Sequence, residues 1–257
     1  MFNNYESIFL SVILFLICLR FIELKWYFKD KICFSEHVNF KNILSIDECK
    51  YIINVVSKIK FETYDENVDS GPEKHNRDNV EMHECMEGHS VSFPVYQIDV
   101  LHNYKTINNK LWKDNIEPLY NKKIKPLIHK LPWSKGKKVS LSWVFIKRYK
   151  KCERTHLRTH LDSNYFTFNI LLSSTKDFKG GELYIFDNYY SNKYKNIVDL
   201  TLEEHDGFIK NIKNDLPIIK DYDQGDVLSF VGENHLHGTL PVVEGERYVL
   251  VLFFEVS

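Results

Sequence analysis

The chain opens on an apolar run: residues 8–19 read IFLSVILFLICL without a charge, and after Arg20 the run continues as FIELKWY. The charge-free part is short for a bilayer span, but extension through Trp26 and Tyr27 reaches spanning length and adds an interfacial aromatic pair. No small-x-small cleavage site follows. The pattern therefore predicts an uncleaved, single-pass signal anchor over residues 1–27, which would carry the chain to the membrane of the secretory pathway, the endoplasmic reticulum first. No Lys or Arg precedes the apolar run of residues 8–19; all of them lie on its C-terminal side. The positive-inside rule would put the domain in the cytosol, so sidedness stays open. A buried amphipathic helix is the alternative reading.

Beyond the anchor, Ser45-Ile46-Asp47-Glu48 has the form of a capping box. Cys49, Ile52, Ile53, Val56 and Ile59 follow at helical spacing, which predicts a helix from 45 to about 60. Residues 62–95 are polar throughout and read as a long loop. A helical pattern returns from Ile107 to about Leu131, interrupted by Pro118 and Pro126. At Val139 the period changes to two: Val139, Leu141, Trp143 and Phe145 alternate with Ser140 and Ser142. Further strands are expected at 164–173, 181–187, 226–231 and 246–256. Turn signals at Lys179-Gly180-Gly181, Gln224-Gly225-Asp226 and Glu244-Gly245 separate them. Short strands with turn punctuation predict an antiparallel sandwich or jelly roll. The fold class is thus α+β, with supporting helices and loops over 28–138 and a jelly-roll core over 139–257. The polar stretch 188–223 reads as an insertion with a local helix near 201–212.

Net charge is −1, so no polyanionic partner is indicated. Nucleic acid is not an expected partner, because a binder would show a basic stripe. The Lys-rich stretch 122–138 reads as solvated surface. Cys18, Cys33, Cys49, Cys85 and Cys152 form no CxxC pair, which argues against a structural zinc site and a disulfide scaffold while leaving one or two disulfides open.

Candidate chemistry centres on Thr159-His160-Leu161-Asp162 at the entrance to a strand. Residues two apart on a strand point to one side, so His160 and Asp162 can reach a common point. A second histidine arrives in His235-Leu236-His237-Gly238. Two imidazoles and a carboxylate on one face of a metal leave coordination positions open, the arrangement of non-haem Fe(II) oxygenases. Arg247 leads into the apolar run Tyr248–Phe254. A guanidinium buried there needs an anion, and the far carboxylate of 2-oxoglutarate would satisfy it. A strand-end Arg reaching to water is the competing reading. Asn169 sits mid-strand in Tyr165-Phe-Thr-Phe-Asn-Ile-Leu-Leu172, on the side of Thr167. It faces either a ligand cavity or solvent.

The run Phe145-Ile-Lys-Arg-Tyr149 through Thr155-His-Leu-Arg-Thr-His160-Leu-Asp162 to Asn169 resembles the lysyl hydroxylase branch of the collagen prolyl and lysyl hydroxylase superfamily. Lys179-Gly-Gly-Glu-Leu-Tyr-Ile-Phe186 and His235-Leu-His237-Gly-Thr-Leu-Pro241 with Gly245-Glu-Arg247-Tyr fit its later motifs in order. The resemblance covers residues 139–254. It implies a double-stranded β-helix and a 2-oxoglutarate-dependent dioxygenase with Fe(II) on His160, Asp162 and His237, His235 being the family's non-ligand histidine. It further implies 2-oxoglutarate contacts at Tyr149, Asn169 and Arg247, ascorbate as an auxiliary reductant, and a peptide or protein substrate hydroxylated at lysine or proline. Ser173 departs from the family, which tends to have Asn there, and the 188–223 insertion is longer than expected. Three other readings compete: a cupin-like metalloenzyme that does not use 2-oxoglutarate, a membrane-anchored β-sandwich binding module with a relic, non-catalytic metal site, and a 2-oxoglutarate oxygenase acting on a non-protein substrate. Oligomeric state is not legible.

Overall fold

A computed structural model describes residues 37–59, 82–83, 91–92, 96–151 and 155–257. The anchor expected over 1–27, and with it the membrane and secretory assignments, lies outside the described residues, as does nearly all of the 62–95 loop. Among the described residues, no helix is long and apolar enough to cross a membrane.

The strands in chain order are β1 (His37–Phe40), β2 (Met82–His83), β3 (Val91–Ser92), β4 (Tyr96–His102), β5 (Lys105–Thr106), β6 (Val139–Lys150), β7 (Leu157–His160), β8 (Phe166–Leu171), β9 (Phe178–Gly180), β10 (Leu183–Ile185), β11 (Val227–Phe230), β12 (His237–Thr239) and β13 (Val242–Val256). The major sheet runs β1-β11-β8-β13-β6-β4-β5, with β9 on the first residues of β13, and the minor sheet is β10-β12-β7. Every pairing is antiparallel. A mostly antiparallel β core is therefore present, but its sheet does not begin at 139. β1 and β4, from the stretch read as helical and loop support, pair with β11 and β6.

Period-two alternation explains the layering. On β6 and β13, Val144, Ile146, Leu250, Leu252 and Phe254 face outward, onto a cluster that includes Ile52, Val56, Ile116 and Ile124. Those partners come from helix α1 (Ile46–Val56) and the helical region 109–130. Phe145, Tyr149, Val249, Val251 and Phe253 face inward, toward Leu183 and Ile185 of the minor sheet. A large apolar side chain fully buried this way contributes about 1.5–3 kcal/mol. The outer layer thus holds the major sheet rigid from behind, and the inner face is free to shape a cavity.

Helix α1 starts where the sequence placed it: Ser45 Oγ accepts from Glu48 N, and the Glu48 carboxylate accepts from Ser45 N at 2.7 Å. The region 109–130 is not one helix. It breaks into three-residue α turns at Asn109–Leu111 and Glu117–Leu119, π segments at Trp112–Ile116 and Tyr120–Ile124, and a 3-10 segment at Lys125–Lys130. Pro118 and Pro126 cannot donate to the helix ladder and crowd the carbonyl four residues back, so the turns widen or tighten around them. Within the insertion lie helices α2 (Asn188–Lys193) and α3 (Leu202–Asn211), the second capped reciprocally by Thr201 and Glu204. Ile197 and Leu216 of this insertion pack on Tyr184, Phe186 and Leu236, the outer side of the minor sheet.

Candidate active site

His160 closes β7 and His237 opens β12, and the two are direct partners in the sheet register. Their rings lie 4.3 Å apart, centroid to centroid. Asp162 is not on the strand; it sits in the turn beyond β7, where its N–H donates to Gly232 O at 3.1 Å. A Cβ on Gly232 would come within 2.7 Å of Asp162 Cβ, so only glycine lets the two segments approach this closely. The Asp162 Oδ1 atom lies 3.3 Å from His160 Nε2 and 3.4 Å from His237 Nε2. These three ligand atoms fall within 4.8 Å of one another.

Each ligand is oriented by a second contact. His160 Nδ1–H donates to Arg158 O at 2.8 Å, and His237 Nδ1–H donates to His235 O at 2.9 Å. Both Nε2 atoms are thereby left as electron-pair donors aimed inward. Thr167 Oγ1 donates to Asp162 Oδ2 at 2.5 Å, which leaves Oδ1 for the metal. Burial by itself would raise the Asp162 pKa. The His237 charge and hydrogen bonds from both imidazoles outweigh it and hold the carboxyl well below the usual carboxylate range. His237 is raised because the Asp162 charge and hydrogen bond overcome burial. His160 is lowered by burial and by His237. Asp162 thus stays ionised, and a divalent ion would replace the proton shared in this cluster. Two imidazole nitrogens and one carboxylate oxygen suit a non-haem iron with open positions. His235 is not part of the set: its Nδ1 contacts Val231 O at 2.9 Å.

The triad opens onto a cavity of about 560 Å³ whose lining includes Trp143, Phe145, Lys147, Tyr149, Asn169 and Phe253. Tyr149 and Asn169 thus line the same cavity as the triad. Asn169 Oδ1 accepts from Tyr222 OH at 2.9 Å, which leaves its NH₂ to donate into the cavity. Burial drives the Tyr222 pKa far up, so this hydroxyl remains a donor at all working pH values. Arg247 pairs with Tyr149 across β13 and β6, its guanidinium carbon 5.4 Å from the Tyr149 ring centroid. It is 2% exposed, and it has no hydrogen bond or ion pair with another described residue. The reading of Arg247 reaching to water does not hold. Burial lowers its pKa, but a guanidinium stays protonated regardless. Gly181 makes room for this residue: its φ is +72°, and a Cβ there would meet Arg247 Cδ at 2.9 Å. Ser173, the departure from the family pattern, bonds the ends of β8 and β13 through Glu246 O and Tyr248 N.

Four contributors escaped the sequence reading. Thr167 and Tyr222 fix ligands as described, and only Thr167 carried a signal, its parity with Asn169. Lys147 carried one too, since it alternates with Phe145 and Tyr149. His205, in the insertion, carried none. Thr159 N–H donates to His205 Nε2 at 3.0 Å, which caps the outer edge of β7 one residue before His160. Its Nδ1 finds no hydrogen-bond partner, Asp206 Oδ1 being 3.6 Å away. Burial, then the Arg158 charge, lowers the His205 pKa to about 4. The folded pKa lies below the unfolded one, so this stability is present above the unfolded value and lost as pH falls toward 4. The metal-free protein should lose on the order of 3 kcal/mol from this residue across that window. His205→Gln, which keeps an acceptor without the titration, should flatten that part of the slope in thermal unfolding. An unchanged slope would remove His205 as its source.

No family model matches the sequence, and no curated protein matches it. Solved structures match in fold. An oxidoreductase of the 2OG-Fe(II) oxygenase family from Burkholderia pseudomallei gives a TM-score of 0.53 at 13% identity, covering 86% of this chain and 84% of that one. The non-heme alpha ketoglutarate dependent epimerase SnoN from nogalamycin biosynthesis gives 0.51 at 9% identity, with 85% and 77% covered. HygX from Streptomyces hygroscopicus, solved with nickel and 2-oxoglutarate bound, gives 0.50 at 13% identity, with 90% and 85% covered. At such identities the likeness speaks to fold alone. The chain is built on the fold of the 2-oxoglutarate–Fe(II) oxygenases, with a His-Asp-His set able to hold a metal at the cavity mouth.

Proposed function

We propose that the chain is an Fe(II)- and 2-oxoglutarate-dependent dioxygenase that hydroxylates a C–H bond and releases succinate and CO₂. The observation that carries this reading is a metal-competent triad opening on a cavity with an unpaired buried guanidinium beside it. A metalloenzyme without an acidic cosubstrate would have no use for that cation. His160, Asp162 and His237 would hold the iron on one face. Arg247 and Tyr149 would receive the far carboxylate of 2-oxoglutarate, and the Asn169 amide would orient the cosubstrate. When bound, iron and 2-oxoglutarate together supply the oxidising chemistry. The chain's share is binding, orientation and exclusion of water.

A peptidyl lysine or proline is the proposed substrate, and its support is the sequence resemblance. The mouth is compatible with a chain-like ligand. Leu161 and Val198 line it at 41% and 42% exposure, and Val198 comes from the 188–223 insertion. The membrane-anchored, secretory location rests on residues 1–27 alone.

The test is succinate formation by the full-length chain, loaded anaerobically with Fe(II) and 2-oxoglutarate and then exposed to air, with and without ascorbate. Succinate from the wild type but not from a His160→Ala, Asp162→Ala variant is the expected result. Failure of folded protein to bind Fe(II) with 2-oxoglutarate would overturn the reading in favour of a non-catalytic β-sandwich module.

A further inference from the structure

One peptide group joins the metal site to the insertion. The Arg158 carbonyl accepts from His160 Nδ1–H at 2.8 Å, the contact that aims His160 Nε2 inward. The N–H of that same peptide, which belongs to Thr159, donates to His205 Nε2 at 3.0 Å. His205 lies on α3, 46 residues from Thr159 along the chain. An imidazole, a peptide and a second imidazole thus stand in one hydrogen-bonded line, and the first of them is a metal ligand.

Each member of the line is held. Thr159 and His205 are 3% and 2% exposed, so water does not compete for the bond between them. β7 is an edge strand of the minor sheet, and His205 receives the N–H that Thr159 presents there. Thr159 Oγ1 adds a second tie, 2.9 Å from the same Nε2 and 2.8 Å from Tyr184 OH. The insertion also grips the preceding residue, since the Arg158 guanidinium donates to Leu200 O. Because Nε2 accepts from a backbone N–H, the His205 proton sits on Nδ1 and the ring is neutral.

Hydrogen bonds in series polarise one another where the local dielectric is low. An acceptor on the Thr159 N–H shifts electron density onto the Arg158 carbonyl oxygen. That oxygen then holds His160 Nδ1–H more firmly, which fixes the ring and makes its Nε2 a better electron-pair donor.

We propose that His205 is a positioning residue for the metal site, acting on His160 through the Arg158–Thr159 peptide, so that the 188–223 insertion is part of the metal-binding apparatus. This rests on the metal site of the function proposed above and not on the identity of the cosubstrate.

The experiment uses the full-length protein and Co(II), whose visible spectrum reports ligand geometry without turnover. His205→Leu should weaken Co(II) binding by about 10-fold, the lower end of the range for disturbing a group behind a ligand, and should alter the Co(II) bands. His205→Gln returns an amide oxygen to the Thr159 N–H and should recover most of both. Ser45→Ala, which removes the α1 cap, controls for lost stability and should change neither. In the wild type, where no variant has to fold, the His205 Nε2 nitrogen resonance should move upfield when Zn(II) fills the site, because metal on His160 strengthens every bond in the line. Unchanged Co(II) affinity and bands in His205→Leu would overturn the proposal and leave His205 an edge cap. Equal losses in the Leu and Gln variants, an equal loss in Ser45→Ala, or a His205 resonance indifferent to Zn(II) would do the same. A wild type that binds neither ion would sink the function proposed above as well. A wild type that binds both, with variants that bind equally, sinks the His205 assignment alone.

Discussion

Asp162→Asn should strip the protein of its metal and abolish succinate formation while leaving the fold in place. Asparagine keeps the shape and can still meet Thr167, whose hydroxyl contacts Asp162 Oδ2. What is lost is the negative charge, and with it the ligand oxygen that faces both imidazoles at 3.3 and 3.4 Å. Two neutral imidazoles alone make a weak site for a hard divalent ion. Disturbing only a residue behind a ligand costs about 10–100-fold in metal affinity, so loss of an anionic ligand should exceed that range. Metal content after anaerobic loading reads this directly, and circular dichroism checks the fold. A variant that holds iron as tightly as wild type would mean that the metal sits elsewhere. The imidazoles should respond as well: without Asp162, the influence that raises His237 disappears, and its pKa should fall below the ordinary histidine value.

Arg247→Met should produce two effects of opposite sign. In the ligand-free protein, burial of a guanidinium without an anion costs several kcal/mol. The contact with the Tyr149 face, 5.4 Å from its centroid, recovers about 0.5–2 kcal/mol of that. Desolvation wins. Methionine retains the apolar stem packed on Gly181, so the variant should be as stable as wild type or about 1 kcal/mol more stable in thermal unfolding. Affinity for 2-oxoglutarate, measured anaerobically with an inert metal, should instead fall by ~30- to 1,000-fold, as expected for truncating one side of a buried charge pair. A variant that unfolds several kcal/mol more easily and still binds the cosubstrate would make Arg247 a structural residue. The combination of gained stability and lost binding marks a residue kept for its ligand.

Much of this site was legible along the chain because it obeys short periods. The two-residue alternation from Val139 onward identified the strands, and the capping box at Ser45 and Glu48 located α1. The order of the His160-Leu-Asp162, Gly180-Gly181, His237 and Arg247 motifs suggested one oxygenase-like core. These are local properties: a strand's faces and a helix's first turn are decided by residues within a few positions of one another.

The rest depended on contacts between distant segments. The expectation that a strand would carry both His160 and Asp162 was half met, because β7 ends at His160 and it is the Gly232 segment that holds Asp162 in place. The pairing of β1 and β4 into the major sheet had no signature in a stretch that read as helix and loop. Pro118 and Pro126 announced an interruption near 109–130, but whether it became a break or a series of widened turns was settled by what Ile116 and Ile124 had to pack against. His205 became the cap of β7, and Tyr222 the partner of Asn169, only when segments 46 and 53 residues apart came together. By itself, then, the sequence determined which residues could ligate a metal and which strand faces were apolar, since both follow from residue type and alternation. Only the tertiary structure decided that His160 and His237 lie opposite one another and that Arg247 is sealed away from water without an anion. It likewise decided that Lys147 faces the cavity, because register, burial and charge compensation are properties of chain segments packed together.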